Sequence, residues 1–373
     1  MNSLYVIGGQ QKYLRSVREH HSKWFEYQKG VVVKADPHTG NSEMILEYVS
    51  PEDVTPEEGA ILFKAASVHN GYLYLCTQTE ILVFSLPTME RAAYISLPFF
   101  NDVHHVAPTP AGNLVVASSG MEMVFEITKE GDLVREWHVL GEQPWTSLAK
   151  ETDYRRVNLK PHRAHPNFVF FLEEELWVTR FYQKDAISLT RPGRRIDIAV
   201  GSPHDGIVNG DFVFFTTTNG NIVIVNQRTL KVDDVVDLNA IHKHGGPLGW
   251  SRGVYVEDGK LWVGFSRIRP TKLKENVDWV KHSLKWRLRW LLPEVITHRS
   301  KWMKKGLKKE LPTRLACYDL AKKECLSQMN LEPHGISAIF SIFPDSMING
   351  SALVAPLVTG TQAMDSEAES LAV

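Results

Sequence analysis

Short runs of alternating apolar and polar residues, each closed by a tight polar turn, recur from one end of this chain to the other. Lys34-Ala35-Asp36-Pro37-His38-Thr39-Gly40 leads into Met44-Ile45-Leu46-Glu47-Tyr48-Val49, and Phe84-Ser85-Leu86-Pro87-Thr88-Met89-Glu90 leads into Ala93-Tyr94-Ile95-Ser96-Leu97. Glu126 to Asp132 precedes Leu133-Val134-Arg135-Glu136-Trp137, and the same form returns at 188–200, 225–238 and 318–331. Alternation with period two marks half-buried strands, and the turns mark hairpins. Two further strands precede each of these pieces, as at Val103 to Ala107 with Asn113 to Ala117 and at Phe168 to Leu172 with Leu176 to Thr179. In Val254 to Val263 the turn falls at Glu257-Asp258-Gly259, a strong hairpin signal. A four-strand unit repeating about every forty residues is the pattern of a propeller blade.

Complete units run over about 61–98, 101–139, 163–200, 202–238 and 251–331. Three strands remain at the N-terminus (Leu4 to Gly8, Val31 to Ala35, Met44 to Val49) and one at the C-terminus, Gly335 to Ile342. One plus three completes a sixth blade and closes the ring, leaving no open sheet edge. The expected fold is all-β, a single six-bladed β-propeller over 1–358 closed by N- and C-terminal strands, with a loose tail over 359–373. A length of 373 residues suits a propeller as one unit, and 43 % apolar residues suffice for its core.

Two segments break the rhythm. Residues 10–29 place Leu14, Val17, His21, Trp24 and Phe25 near one helical face. Residues 272–310 space Val277, Val280, Leu284, Leu288 and Leu291 as a helix does, with four tryptophans and Pro293 to end the first helix. This second segment carries twelve Lys or Arg against four Asp or Glu, an excess of +8 in a chain of net charge −1. In a propeller the loop between the second and third strands returns to the face where inner strands begin. Both insertions, and the linker 140–160, are therefore expected over one face as a lid. A peripheral membrane contact or an oligomer contact is the other reading of 272–310.

Fifteen histidines are present, and eight of them stand where chains enter inner strands: His104, His105, His162, His165, His204, His242, His244 and His334. Arg252 and His105 are each nine residues ahead of the second-strand leucines Leu261 and Leu114. Such heads converge on the ring axis. Imidazoles gathered there suit a transition metal or acid–base catalysis, and guanidinium groups suit an anion. We take His105, His204, Arg252 and His334 as catalytic candidates. Asp102, Arg163, Asn167, Arg180, Asp205 and Arg267 are candidates for substrate binding. His104, His105, His165, His204 and His334 are candidate ligands of a divalent metal ion. In a regular strand His162 and His165 could not both face inward.

The strand rhythm and heads such as Asn101-Asp102-Val103-His104-His105 resemble six-bladed propellers of the gluconolactonase and strictosidine synthase type, bacterial arylsulfate sulfotransferases, and uncharacterised bacterial propellers. In the gluconolactonase group Glu, Asn and Asp hold a divalent metal at the channel; histidines stand at the corresponding heads here, which argues against a calcium site. The sulfotransferase resemblance implies a sulfuryl-accepting histidine, for which His105 and His204 are the candidates by position.

The three cysteines form no metal-type pair, the start resembles no signal peptide, and no apolar run is long enough to span a membrane, so a cytoplasmic protein is expected. No phosphate loop, nucleophile elbow or nucleic-acid module is present. The expectation is an enzyme acting on a small polar, anionic molecule in a His/Arg-lined funnel, as hydrolase, lyase, cyclase or transferase. The alternative is a non-catalytic binding scaffold.

Overall fold

A computed structural model describes residues 3–11, 27–55, 60–242, 248–267 and 311–350. The lid insertion 272–310, most of 10–29, His244 and the tail 359–373 lie outside the described residues.

Six antiparallel four-stranded sheets form the ring. The composite blade has the order β24-β1-β2-β3, with β1 at Leu4–Gln11, β2 at Tyr27–Ala35, β3 at Ser42–Tyr48 and β24 at Ala338–Pro344. Blade II follows with β4 (Ser67–His69), β5 (Tyr72–Cys76), β6 (Ile81–Ser85) and β7 (Glu90–Ile95). Blade III holds β8 (Val103–Pro108), β9 (Leu114–Ser118), β10 (Met123–Ile127) and β11 (Leu133–His138). Blade IV holds β12 (Pro166–Leu172), β13 (Glu175–Arg180), β14 (Asp185–Ser188) and β15 (Arg195–Asp197). Blade V holds β16 (Ile207–Asn209), β17 (Phe212–Thr217), β18 (Asn221–Asn226) and β19 (Lys231–Asp237). Blade VI holds β20 (Trp250–Glu257), β21 (Lys260–Ser266), β22 (Arg314–Asp319) and β23 (Glu324–Asn330).

Closure runs as the sequence predicts. β24 pairs antiparallel with β1 from Leu4↔Pro344 to Gly9↔Ala338, which makes the last strand the inner strand of the first blade. The Glu257–Lys260 hairpin turns on Asp258 and Gly259, both with positive φ (51° and 70°), the geometry that favours Asp-Gly.

Side chains of period two give each blade two apolar faces, and each face packs on a neighbouring blade. Tyr5, Ile7 and Val32 meet Leu73, Leu75 and Leu82 between the composite blade and blade II. Corresponding clusters fill the other junctions around the ring. The core is thus a set of wedges between blades, and the axis is left to the strand heads. Among the described residues no helix is long and apolar enough to cross a membrane.

The linker 140–160 is described, and it lies against the head of blade III. Asn101 Nδ2 donates to the carbonyls of Tyr154 (2.6 Å) and Val157 (2.8 Å), and Trp145 packs on Phe99 and Phe125. Its last turn brings Lys160 Nζ to 3.9 Å from Asp102 Oδ2.

Candidate functional site

Each blade sends a residue to the axis from the head of its inner strand. Blade II gives Lys64, blade III gives Asp102 and His104, blade IV gives His162 and His165, and blade V gives His204; Arg252 of blade VI and Phe340 of the composite blade complete the set. The rings of His104 and His165 are 4.6 Å apart, those of His104 and His204 6.1 Å, and those of His162 and His165 4.8 Å. Phe340 stands edge-on to His204 at 5.5 Å, and the Arg252 guanidinium lies 4.6 Å from Phe340 and 4.7 Å from Trp250.

A β-bulge decides which of the two adjacent histidines of blade III faces the axis. Val103 pairs with Ser118 and His105 with Ala117, so His104 is the extra residue. His105 then turns into the wall between blades. Its ring stacks on Phe168 at 3.7 Å, its Nδ1 accepts from the Val169 N–H (3.1 Å), and its Nε2 meets Ser67 Oγ (3.0 Å). Both nitrogens are spent on structure. Arg252 occupies the same register as His105, opposite Gly264 as His105 is opposite Ala117, but in blade VI the bulge falls at Gly253 and Arg252 stays at the axis.

Hydrogen bonds fix tautomers here. His104 Nδ1 lies 2.7 Å from the Asp102 carbonyl, which can only accept, and 3.3 Å from Lys64 Nζ, which can only donate and already donates to Asp102; the shorter contact assigns the proton to Nδ1. Ser119 Oγ, 2.8 Å from the same nitrogen, donates its own proton to the Pro166 carbonyl. His104 therefore presents a bare Nε2. His105, accepting at Nδ1, must carry its proton on Nε2. Neither histidine can take a proton from its serine, so Ser67 and Ser119 are not activated nucleophiles. Cys76 is fully buried, and burial raises its thiol to about 12, far from the thiolate range.

His204 is 1 % exposed, yet neither ring nitrogen has a hydrogen-bond partner among the described residues; the Asp205 carboxylate is nearest, with Oδ1 3.6 Å from Nδ1. Asp205 is committed elsewhere, accepting at Oδ2 from Thr216 Oγ1 (2.5 Å) and the Gly253 N–H (2.8 Å). Asn167 donates to the Pro203 carbonyl at 3.0 Å, which holds the His204 loop against blade IV.

Asp102 forms a buried ion pair with Lys64. Burial alone would raise the Asp102 carboxyl, but Lys64, His104, Lys160 and His162 together hold it well below the usual carboxylate range. The imidazoles move the other way. Burial, helped by Lys64, lowers His104 well below its ordinary value, and burial with His162 does the same for His165. Burial and Arg252 lower His204 to about 4. All three rings are neutral at physiological pH, the form that binds metals or accepts protons.

Glu122, from the turn between β9 and β10, fastens the histidine loop of blade IV. Its carboxylate accepts from the backbone N–H groups of Arg163, Ala164 (2.9 Å) and His165 (3.0 Å). His165 has φ of 57°, so this loop is not a strand, and His162 and His165 both turn inward with their Nδ1 atoms 2.5 Å apart.

The remaining candidates lie elsewhere. Arg180 chelates Asp185 (2.9 and 2.6 Å), and Arg163 reaches out to Glu142. Arg267 pairs with Glu332 (2.7 and 2.5 Å), at the short turn that carries His334 and packs against β3. His242 lines a cleft between the outer strands β19 and β23. Sequence reasoning passed over Lys64, Glu122 and Phe340. Lys64 and Phe340 stand at inner-strand heads, and aligning all six heads by strand register would have found both. Glu122 has no sequence signal, since its contacts are with another blade.

Comparison with solved structures finds a protein of unknown function from Bacteroides caccae, with TM-score 0.54 and 12% identity over 92% of this chain and 99% of that one. The nidogen/laminin complex matches at TM-score 0.50 and 9% identity, over 91% of this chain and 97% of that one. Streptogramin B lyase matches at TM-score 0.37 and 15% identity, over 55% and 65% of the two chains, and carries no argument about function. At these identities the likeness is one of fold alone. No family model matches the chain, and no curated protein does.

Proposed function

We propose that this propeller is an enzyme that draws a small anionic molecule into its axial funnel and acts on it with a divalent transition metal held by His104, His165 and His204. The observation that carries the reading is His204, a buried imidazole with both nitrogens unbonded, beside two other neutral imidazoles. A buried polar group without a partner is costly, and functional sites are where such costs persist. Three histidines bound at about 2.0–2.1 Å to one ion would have ring centres about 5 Å apart. The His104–His165 distance of 4.6 Å fits that value, whereas His104 and His204 at 6.1 Å stand farther apart, so His204 would have to close on the ion. The outer nitrogens of His104 and His165 also have neighbours of the kind that orient a ligand, the Asp102 carbonyl and His162. An imidazole set fits zinc, iron, copper or nickel and not calcium.

One oxygen of Asp102 and one nitrogen each of His162 and His165 also come within 4.8 Å of one another. In that trio Asp102 is already paired with Lys64 and has Lys160 at 3.9 Å.

When bound, such an ion supplies Lewis-acid polarisation or a hydroxide at neutral pH. The chain's own residues set what enters. Arg252, whose guanidinium lies over the rings of Phe340 and Trp250, is the group that would meet an anion at the funnel floor. Three neutral imidazoles and a guanidinium at the axis suit polar, metal-assisted chemistry, whether hydrolysis, elimination, cyclisation or group transfer. Metal analysis of the full chain, purified without chelator, is the test. About one equivalent of transition metal in the native protein, lost in His104→Ala and His204→Ala variants that still fold, is the expected result. A native protein that neither carries nor takes up Zn²⁺ or Co²⁺ refutes the reading.

A further inference from the structure

We infer that Asn167 is a specificity-determining residue, whose buried carboxamide oxygen accepts a hydrogen bond from a hydroxyl or N–H group of the substrate. The substrate class is then a small anion that also carries a donor, such as a hydroxy acid or an amide-bearing acid. The inference rests on the reading above that an anion meets Arg252, and adds what the rest of that molecule must offer.

Strand register places Asn167 at the axis. In β12 Pro166 pairs with Arg180 and Val169 with Val178, so Asn167 and Phe168 together oppose Thr179 alone. Phe168 takes the wall. Its N–H donates to Thr179 Oγ1 (3.0 Å), and its ring packs in the core and stacks on His105. Asn167 is therefore the inserted residue. The same insertion stands at His104 in blade III and at Phe340 in the composite blade, where Ile339 pairs with Gly8 and Ser341 with Ile7. Both of those side chains reach the axis, and both touch His204. The residue that follows each of them turns to a neighbouring blade, His105 to the Val169 N–H and Ser341 to the Ala66 N–H.

The partner of the amide fixes which of its atoms points where. Asn167 Nδ2 lies 3.0 Å from the Pro203 carbonyl, which can only accept, so the nitrogen faces Pro203 and the other terminal atom is the oxygen. Oδ1 is buried and has no hydrogen-bond partner among the described residues, in a side chain that is 0 % exposed. A buried acceptor in that condition is costly until a donor meets it. Pro203 immediately precedes His204, so the bond that orients the amide also ties it to the head of blade V. An amide oxygen carries no proton to share with a carboxylate. It selects a ligand that brings one, and a site built this way rejects the analogue lacking the donor.

Isothermal titration of the full chain with matched carboxylates tests the inference. Glycolate, 3-hydroxypropionate and 4-hydroxybutyrate are set against acetate, propionate and butyrate. At one chain length or more, the hydroxy acid should bind about tenfold tighter than its parent, the worth of one buried acceptor satisfied. Asn167→Ala, or the similarly sized Asn167→Leu where alanine does not fold, should bring that ratio near one while the parent acid binds as before. Equal binding of hydroxy acid and parent by the native chain overturns the inference and leaves the anion reading standing. A ratio that survives in the folded variant also overturns it, as does a loss shared equally by both acids, which marks a structural role. Loss of cobalt binding in that variant would make Asn167 a metal ligand and sink the inference. If the native chain binds none of the six acids, the anion reading itself fails and this one falls with it.

Discussion

Replacing Glu122 tests whether one carboxylate holds the histidine loop of blade IV in place. It accepts three backbone N–H bonds, from Arg163, Ala164 and His165, and is 8 % exposed. Hydrogen bonds to a charged group contribute about 1.5–3 kcal/mol each. Arg163 is exposed and its N–H can turn to water, so two of the three bonds count in full. Glu122→Ala should therefore cost about 3–5 kcal/mol, a large share of the roughly 5–15 kcal/mol typical of a folded protein. Glu122→Gln keeps one acceptor oxygen but turns an NH₂ toward an N–H, at about 2–4 kcal/mol. The backbone at Glu122 has φ of 57°, a strain that Glu and Gln bear alike; Glu122→Gln therefore separates the loss of the carboxylate from any backbone effect, which Glu122→Ala does not. Urea unfolding followed by tryptophan fluorescence gives the stabilities, and cobalt titration of the folded variants gives the consequence for the site. Both should fall together, affinity by at least tenfold. A Glu122→Gln protein within about 0.5 kcal/mol of wild type, the range of ordinary surface changes, and with unchanged cobalt affinity, would show that the loop holds itself.

Removing the chain from Glu332 onward deletes β24 with its Ile339 and Ile342, unpairs β1 and exposes Leu4, Val6 and Trp262 of the cluster they complete; calorimetry should show no cooperative transition, and an unchanged melt would disprove the composite blade. His105→Ala should lower stability by about 2–4 kcal/mol through loss of its stack on Phe168 and its bonds to Val169 and Ser67, while metal content is kept; loss of metal without loss of stability would return His105 to the functional set. Burial lowers His105 to about 3 and His204, with Arg252, to about 4, both below the ordinary 6.5, so the unfolded chain binds more protons between those values. Metal-free protein should therefore lose stability as pH falls from about 6.5 toward 3, by up to about 1.4 kcal/mol per pH unit per histidine; a flat urea midpoint over that window contradicts the buried, neutral state. Arg252→Met should weaken binding of inorganic phosphate or sulfate about 10–100-fold, the worth of one charge-assisted bond; equal affinities in isothermal titration would remove Arg252 from the anion site.

Much of this molecule is written in local pattern. Strand alternation, turns such as Glu257-Asp258-Gly259 and the leftover strands at the two ends fix the blades, their number and the closure of β24 on β1, because period-two burial and hairpin chemistry act between near neighbours. The crowding of histidines at strand heads is equally visible in one dimension. Which of them reach the axis is not. His104 faces inward and His105 faces the wall because one inserted residue reverses the parity of a strand, and pairing with Ser118 and Ala117 alone reveals the insertion. Arg180 and Arg267 look like substrate clamps by position, but each meets a carboxylate, Asp185 or Glu332, that the fold delivers. Lys64, His162 and Glu122 take their roles from partners between 38 and 60 residues away in sequence, as in the Lys64–Asp102 pair. A strand reports its own faces through its own residues, so sequence suffices for the ring. Protonation, charge pairing and direction at the axis depend on groups from six blades meeting at once, and only the closed ring brings them together.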